Sequence, residues 1–236
     1  MTQRVSRSLA SAVVALTLLT GSGLASAQGM ALQPIVARML TAMSAATAYR
    51  IVVDSTISGG GTPRGGVART HMEMIRVHHG TTTQVYVLMV TTPAKGAVST
   101  SETVMSGTRG CTRQSRTGAW NCHYPPSAFA ALTNADPAKA LQEAGIRVVM
   151  TPTGGRRTIG GQPCAVYTFT ESIASGVTLT VHGLWYLNAT TTLPVEVDAV
   201  GSEALVQGQP PFAVKSTASY SRWNDPTLRV PAVPGM

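Results

Sequence analysis

Apolar side chains follow two different periods along this chain. In residues 33–48 they recur at three- and four-residue spacings, which predicts a short amphipathic helix with Pro34 in its first turn. The apolar positions that share one face of this helix are Ile35, Met39, Leu40 and Met43. From Tyr49 onward the period becomes two, because Tyr49, Ile51 and Val53 alternate with polar residues. This change predicts that the helix is followed by a strand.

Further strands are predicted along most of the remaining chain, separated by turns rich in Gly, Pro, Asn and Thr. The predicted segments are 68–77, 84–90, 102–105, a hairpin over 111–122, 146–150, 164–170, 177–187, 193–200 and 212–223. The stretches 153–157 and 160–161 are predicted to be turns. A second helix is predicted from Asp136, which caps it, to Gly145 beyond its end. This order predicts an α+β fold in which one antiparallel sheet carries a few helices on one face.

The N-terminal residues have the pattern of a secretion signal. Arg4 and Arg7 form a basic start, residues 9–20 are apolar and uncharged, and Ala25-Ser26-Ala27 supplies the small residues before a cut. The apolar stretch is shorter than the roughly 20 residues of a membrane-spanning helix. We therefore expect residues 1–27 to be a cleaved signal and residues 28–236 to be one domain. No cysteine occurs before Cys111, so we expect no lipid anchor at the cleavage point.

Composition and charge exclude few classes of partner, but they disfavour nucleic-acid binding. The 236 residues carry a net charge of +8, yet only 12% of them are charged. The basic residues are scattered, and Arg156-Arg157 is the only adjacent pair. A nucleic-acid surface needs a basic stripe with interleaved aromatic residues. We therefore expect no nucleic-acid partner, and we expect a monomer.

The three cysteines predict one disulfide and one thiol. Residues 111–122 resemble two short strands around a turn at Ser115–Gly118, which places Cys111 opposite Cys122. Cross-strand partners at a non-hydrogen-bonded position of a hairpin have Cβ atoms close enough for a disulfide bridge. Cys164 lies in an apolar strand and is interpreted as a buried small hydrophobic residue. Together with the signal, the bridge indicates an oxidising compartment.

Constellations that carry catalysis are scarce in this sequence. The five histidines, which include the adjacent pair His78-His79, lack a carboxylate at a metal-ligand spacing. Glu196 and Asp198 share the polar face of a predicted strand, where a solvated role is favoured over acid–base chemistry. No glycine-rich loop opens a helix. We therefore expect no cofactor, no bound metal and no enzymatic activity.

Methionine is frequent in the predicted strands, and this can be read in two ways. Ten methionines are present, several of them inside strands. They suit an ordinary core, and they also suit an apolar cavity between the sheet and the helices, because methionine adapts to irregular partners.

Several stretches resemble the LolA-like periplasmic lipoprotein carriers, and most closely the lipid-carrying lipoproteins of the LprG/LppX type. They are GGQPCAVYTFT (160–170), VTLTVHGLWYLNATTTLPVEVDAVG (177–201), SYSRWNDP (219–226) and, in the first half, ETVMSGTRGCTRQSRTGAW (102–120). The resemblance implies a strongly curved, unclosed antiparallel half-barrel with two or three helices over its concave face. It implies acyl chains between the sheet and the helices, and no catalytic residues.

The predicted cavity lining combines this resemblance with the alternation of the strands. The residues are Ile51, Val53, Met72, Met74, Val85, Val87, Met89, Val104, Trp120, Val166, Leu179, Val181, Trp185, Val195 and Val197. The expected function is that of an exported, unanchored carrier or binder of lipids or lipoprotein acyl chains, in the periplasm, the cell envelope or outside the cell. A membrane or a membrane protein would be its donor or acceptor. Unlike this chain, the LprG/LppX relatives carry a lipid anchor, and the difference leaves a sensory or regulatory module that binds a partner protein equally open.

Overall fold

The computed structural model describes residues 33–59, 67–107, 109–123, 146–174, 178–203 and 212–233. Eleven strands and one helix lie in these ranges, and all eleven strands belong to one antiparallel sheet. The helix is α1 (Pro34–Ala45). The strands are β1 (Ala48–Gly59), β2 (Ala68–His79), β3 (Thr82–Thr92), β4 (Ser99–Ser106), β5 (Arg109–Arg113), β6 (Asn121–His123), β7 (Ile146–Ile159), β8 (Gln162–Ala174), β9 (Thr178–Asn188), β10 (Pro194–Glu203) and β11 (Phe212–Ser221).

The strand order is β6-β5-β4-β3-β2-β1-β11-β10-β9-β8-β7, so the first and last strands pair at the centre of the sheet. The sheet is open, with β6 and β7 at its two edges. Strands that are neighbours in the sheet are also successive in the chain everywhere except at this central pair. The predicted antiparallel sheet is therefore confirmed. The described residues are mostly sheet with one short helix, so they do not confirm the two or three helices expected over the concave face.

Helix α1 lies against one side of the sheet, which we call the inner face. Its buried residues are Val36, Met39, Leu40 and Met43, which recur at i, i+3, i+4 and i+7. Ile35, predicted for this stripe, is only partly buried. The Gln33 side-chain oxygen accepts a hydrogen bond of 2.6 Å from the Met150 backbone N–H and so joins the start of the helix to β7. The second predicted helix (136–145) and the predicted signal (1–27) lie outside the described residues.

Two predicted turns near β7 had different outcomes. Gly160-Gly161 connects β7 to β8 with φ values of 54° and 79°. Positive φ at both central residues is the conformation of a tight hairpin turn that glycine adopts without strain. The prediction of a turn over 153–157 was wrong, because β7 runs through these residues with a shift in register between Pro152 and Arg156. The local Gly-Gly signal is accommodated as an irregularity inside a strand.

The C-terminal segment crosses the outer face, which is the side of the sheet opposite α1. Asn224 starts this crossing, because its side-chain oxygen accepts a hydrogen bond of 2.8 Å from Thr47 N–H. Leu228 packs with Ala48 and Val77, and Val233 packs with Val104 and Cys111. The segment therefore covers apolar side chains from β1 to β5.

Candidate functional site

The inner face carries one continuous apolar cluster that joins α1 to residues from β1, β2, β3, β4, β7, β8, β9, β10 and β11. Methionine is unusually frequent in it. Seven of the ten methionines of the chain belong to this cluster: Met39, Met43, Met72, Met74, Met89, Met105 and Met150. The strand register brings these residues together. Met72 lies opposite Met89 in the β2–β3 pair, and Met105 lies opposite Val85 in the β3–β4 pair. Val85 is in turn the cross-strand neighbour of Arg76. Long, unbranched methionine side chains therefore lie among branched and aromatic side chains in this cluster.

Ten of the predicted cavity residues lie together in this cluster. They are Ile51, Val53, Met72, Met74, Val85, Val87, Met89, Val181, Trp185 and Val197. Four others are not with them. Val104 and Trp120 pack with Cys111 and Val233 on the outer face, and Val166 and Val195 pack with Cys164 there. One cavity beneath α1 cannot include both groups, and the side chain of Leu179 lies outside the described part of the chain.

Aromatic rings run across the inner face at the end of the sheet where β1 begins. Tyr49 contacts Trp223 with ring centroids 4.8 Å apart, and Trp223 stacks on Tyr220 at 6.1 Å. Tyr220 in turn lies 5.9 Å from Trp185. Burial raises the pKa of both Tyr49 and Tyr220 above the ordinary value for tyrosine. These hydroxyls therefore remain protonated, and they keep the aromatic row neutral.

Two nitrogen donors are buried within this face and lack an acceptor among the described residues. Nη1 of Arg76 and Nε1 of Trp185 are both without a hydrogen-bond partner there. Arg76 is 5% exposed, and its guanidinium carbon lies 5.6 Å from the centre of the Tyr49 ring. Sequence reasoning did not single out Arg76. The signal that could have found it is its spacing, because it follows Met72 and Met74 by two-residue steps and must therefore share their face.

The disulfide predicted between Cys111 and Cys122 is confirmed. The two residues are opposite each other in the β5–β6 pair, and the Gly118 N–H donates to the Ser115 carbonyl in the turn between the strands. Beside this hairpin, Arg113 donates to Glu102, which is 3% exposed, at 2.6 and 2.9 Å. The Arg113 guanidinium also lies 4.5 Å from the centre of the Trp120 ring. These contacts make the edge of the sheet a structural unit on the outer face.

Cys164 is a buried free thiol, as predicted, and it packs with Tyr186 and Val195. Burial is the main cause that raises its pKa. A raised pKa lowers the fraction of thiolate, which is the nucleophilic form. The arrangement therefore suits packing better than covalent chemistry.

A depression of about 490 Å³ lies where β3, β2, β1 and β11 run side by side. Its charged groups are Arg69, Lys215, His71 and Asp54, and the last two form a contact of 2.8 Å. By strand alternation these four side chains belong to the outer face. No predicted cavity residue lines this depression, so it is separate from the methionine-rich cluster.

This chain shows a weak structural likeness to a known protein. The sequence matches no protein-family model, and no curated protein is significantly similar to it. The solved structure of a DUF1329 family protein from Desulfovibrio piger aligns with 84% of this chain and 95% of its own, at 11% identity and a TM-score of 0.33. A likeness at this level supports no conclusion about function. No helix in the part of the chain that the structure describes is long and apolar enough to span a membrane.

Proposed function

We propose that this protein is an exported, non-enzymatic carrier or binder of lipids or lipoprotein acyl chains, which it holds between α1 and the inner face. The observation that carries the proposal is the concentration of seven methionines in the inner-face cluster. Methionine side chains change shape at little cost and pack against many partners. A cluster of this kind can part around an acyl chain and close again when the chain leaves.

The attachment of α1 favours such an opening. Hydrogen bonds hold the residues that flank α1 on both sides. Before the helix, Met150 N–H donates to the Gln33 side chain; after it, Thr47 N–H donates to the Asn224 side chain. Between these ends the buried contacts are apolar, through Val36, Met39, Leu40 and Met43. Apolar contacts lack the directionality of hydrogen bonds, so the middle of the helix can move away from the sheet with both ends attached.

The energy of acyl burial is large enough to drive this exchange. Each buried methylene group contributes about 0.8 kcal/mol, so a chain of about 16 carbons contributes on the order of 12 kcal/mol before the costs of binding. Displaced contacts between α1 and the sheet reduce this figure, but the acyl chain replaces them with contacts of the same kind. Binding of an acyl chain between α1 and the sheet is therefore energetically feasible, because α1 contacts the sheet through a single apolar stripe.

Native mass spectrometry of the protein purified from its own host tests the proposal directly. We expect lipid to co-purify, or to be taken up from added vesicles. A protein that never retains or takes up lipid contradicts the proposal. Recovery of one stable protein partner from an envelope extract, with no lipid bound, would favour the sensory or regulatory alternative.

Two substitutions in β11 provide a matched pair for the same measurement. Ala218 is buried on the inner face, and Ala213 is exposed on the outer face of the same strand. We expect Ala218→Leu to fill space that the acyl chain needs and to reduce lipid uptake severalfold. Ala213→Leu adds the same side chain on the other face and leaves uptake unchanged. Equal uptake by both variants places the lipid elsewhere.

Export is tested by the N-terminus of the mature protein. Sequencing of the secreted or envelope fraction should give a chain that begins at Gln28. A full-length N-terminus would contradict the proposed signal cleavage.

A further inference from the structure

Arg76 is a buried cation in apolar surroundings. Its cross-strand neighbours are Tyr49 in β1 and Val85 in β3, and Met74 precedes it on the same face. No ion pair between described residues includes Arg76, its Nη1 has no hydrogen-bond partner among them, and its guanidinium faces the Tyr49 ring. The inner-face carboxylate Glu171 lies on β8, five strands away in sheet order.

A guanidinium group in this setting is costly for the fold. Buried charges are normally paired, and buried N–H groups normally have acceptors, because water no longer solvates them. The ring of Tyr49 offers a cation–π contact but no hydrogen-bond acceptor for Nη1. A ligand that carries acceptor oxygens and a negative charge would satisfy both needs.

From this position we infer that Arg76 binds the anionic head of an amphiphilic ligand, whose apolar tail lies along the methionines of the inner face. The inference rests on the proposed function and specifies the chemical class of its ligand. The planar guanidinium pairs with carboxylate or phosphate oxygens through two parallel hydrogen bonds, which a neutral head cannot offer. The ligand class is therefore an acyl chain with one carboxylate or phosphate head.

Titration calorimetry on the delipidated mature protein tests this with three probes that share one tail. Oleate carries a carboxylate, 1-oleoyl-lysophosphatidate carries a phosphate, and oleyl alcohol carries no charge. We expect at least one anionic probe to bind roughly tenfold more tightly than the alcohol, since hydrogen bonds to charged groups are strong in apolar surroundings. The stronger of the two anionic probes identifies the head as a fatty-acid carboxylate or a lipid phosphate.

Arg76→Met should remove this preference while leaving the alcohol bound. The matched control is Arg69→Met, in the same strand but exposed on the outer face, which should keep the preference. Arg76→Lys retains the charge, and it should keep a preference reduced severalfold; it also serves if Arg76→Met does not fold.

Two results overturn the inference and leave the proposed function intact. One is equal affinity of the unmodified protein for charged and neutral probes. The other is an anionic preference that survives in Arg76→Met. If none of the three probes binds the unmodified protein, the proposed function fails as well.

Discussion

Gly183 in β9 lies so close to the neighbouring strand that no side chain fits there. A Cβ atom at this position would overlap the carbonyl oxygen of Asp198, and it would lie 2.9 Å from the carbonyl carbon of Asp198 and 3.0 Å from Cα of Ala199. All three atoms belong to the backbone of β10, so no rotamer change can relieve the contact. Gly183→Ala therefore has to push two paired strands apart.

The expected loss of stability follows from this displacement. Restoring ordinary contact distances requires the strands to separate locally by about 1 Å, which breaks or weakens two or three ladder hydrogen bonds around the Gly183–Ala199 pair. Each such bond has a net value of about 0.5–1.5 kcal/mol, and overpacking adds about 1–3 kcal/mol. We expect a decrease of about 3–5 kcal/mol in the free energy of unfolding, which is a large part of the roughly 5–15 kcal/mol available to a domain.

Urea unfolding monitored by circular dichroism and by tryptophan fluorescence measures this change. The matched control is Gly155→Ala in β7, where the added Cβ would lie 3.1 Å from the side-chain oxygen of Thr153 and at an ordinary 3.9 Å from Cβ of Val166. The Thr153 side chain can move, so we expect a change within about 1 kcal/mol. If Gly183→Ala unfolds at the same urea concentration as Gly155→Ala, the close approach of β9 and β10 does not restrict this position.

Two further predictions concern the edge hairpin and the C-terminal segment. Replacing Cys111 and Cys122 together by Ser opens a 12-residue loop and should lower the free energy of unfolding by about 3 kcal/mol on the chain-entropy model, measured by urea denaturation without reductant; a loss below about 1 kcal/mol would contradict that account. The pKa of Asp225 is lowered from 3.8 to about 2, first by the Thr227 hydroxyl and then by Arg222. The pKa of Asp225 is lower in the folded than in the unfolded chain, so its ionised carboxylate stabilises the fold. This stabilisation is complete above about pH 4 and is lost as the pH falls towards 2. NMR titration of the carboxyl should show Thr227→Ala raising this pKa, and an unchanged value would refute the assigned cause.

Strand positions were predictable from this sequence because alternation is a local property. In β1 and β2 the buried residues follow the predicted two-residue period, and the opposition of Cys111 and Cys122 followed from the turn between them. The helix was also predictable, and three of its four predicted buried residues are correct; only the first differs, because Val36 rather than Ile35 is buried. A stripe can be estimated from spacing, but its exact direction depends on where the helix rests on the sheet.

The face to which each strand's apolar residues belong was less predictable. Where both faces of a strand are apolar, alternation gives two sets without saying which set faces the helix. Val104, Val166 and Val195 were therefore grouped with residues of the opposite face. The packing of Leu228 and Val233 was also missed, because an extended segment that crosses a sheet has no period of its own. The inner-face position of Arg76 could have been predicted from its two-residue spacing after Met72 and Met74. It was not, because a charged residue in a strand is ordinarily assigned to the solvent-exposed face.

The pairing of β1 with β11 places the last strand to be synthesised at the centre of the sheet. Ser55 and Ser216, whose hydroxyls share a hydrogen bond of 2.8 Å, are 161 residues apart in the chain. The hairpins on either side of this seam can form early, since they join neighbouring segments, but the two halves of the sheet can unite only after residue 221 is free to pair. Until then β1 and β10 are open edges that can pair with other chains. A chain emerging from a ribosome therefore stays divided until almost its whole length is released, and we expect the pairing of β1 with β11 to be its slowest folding step.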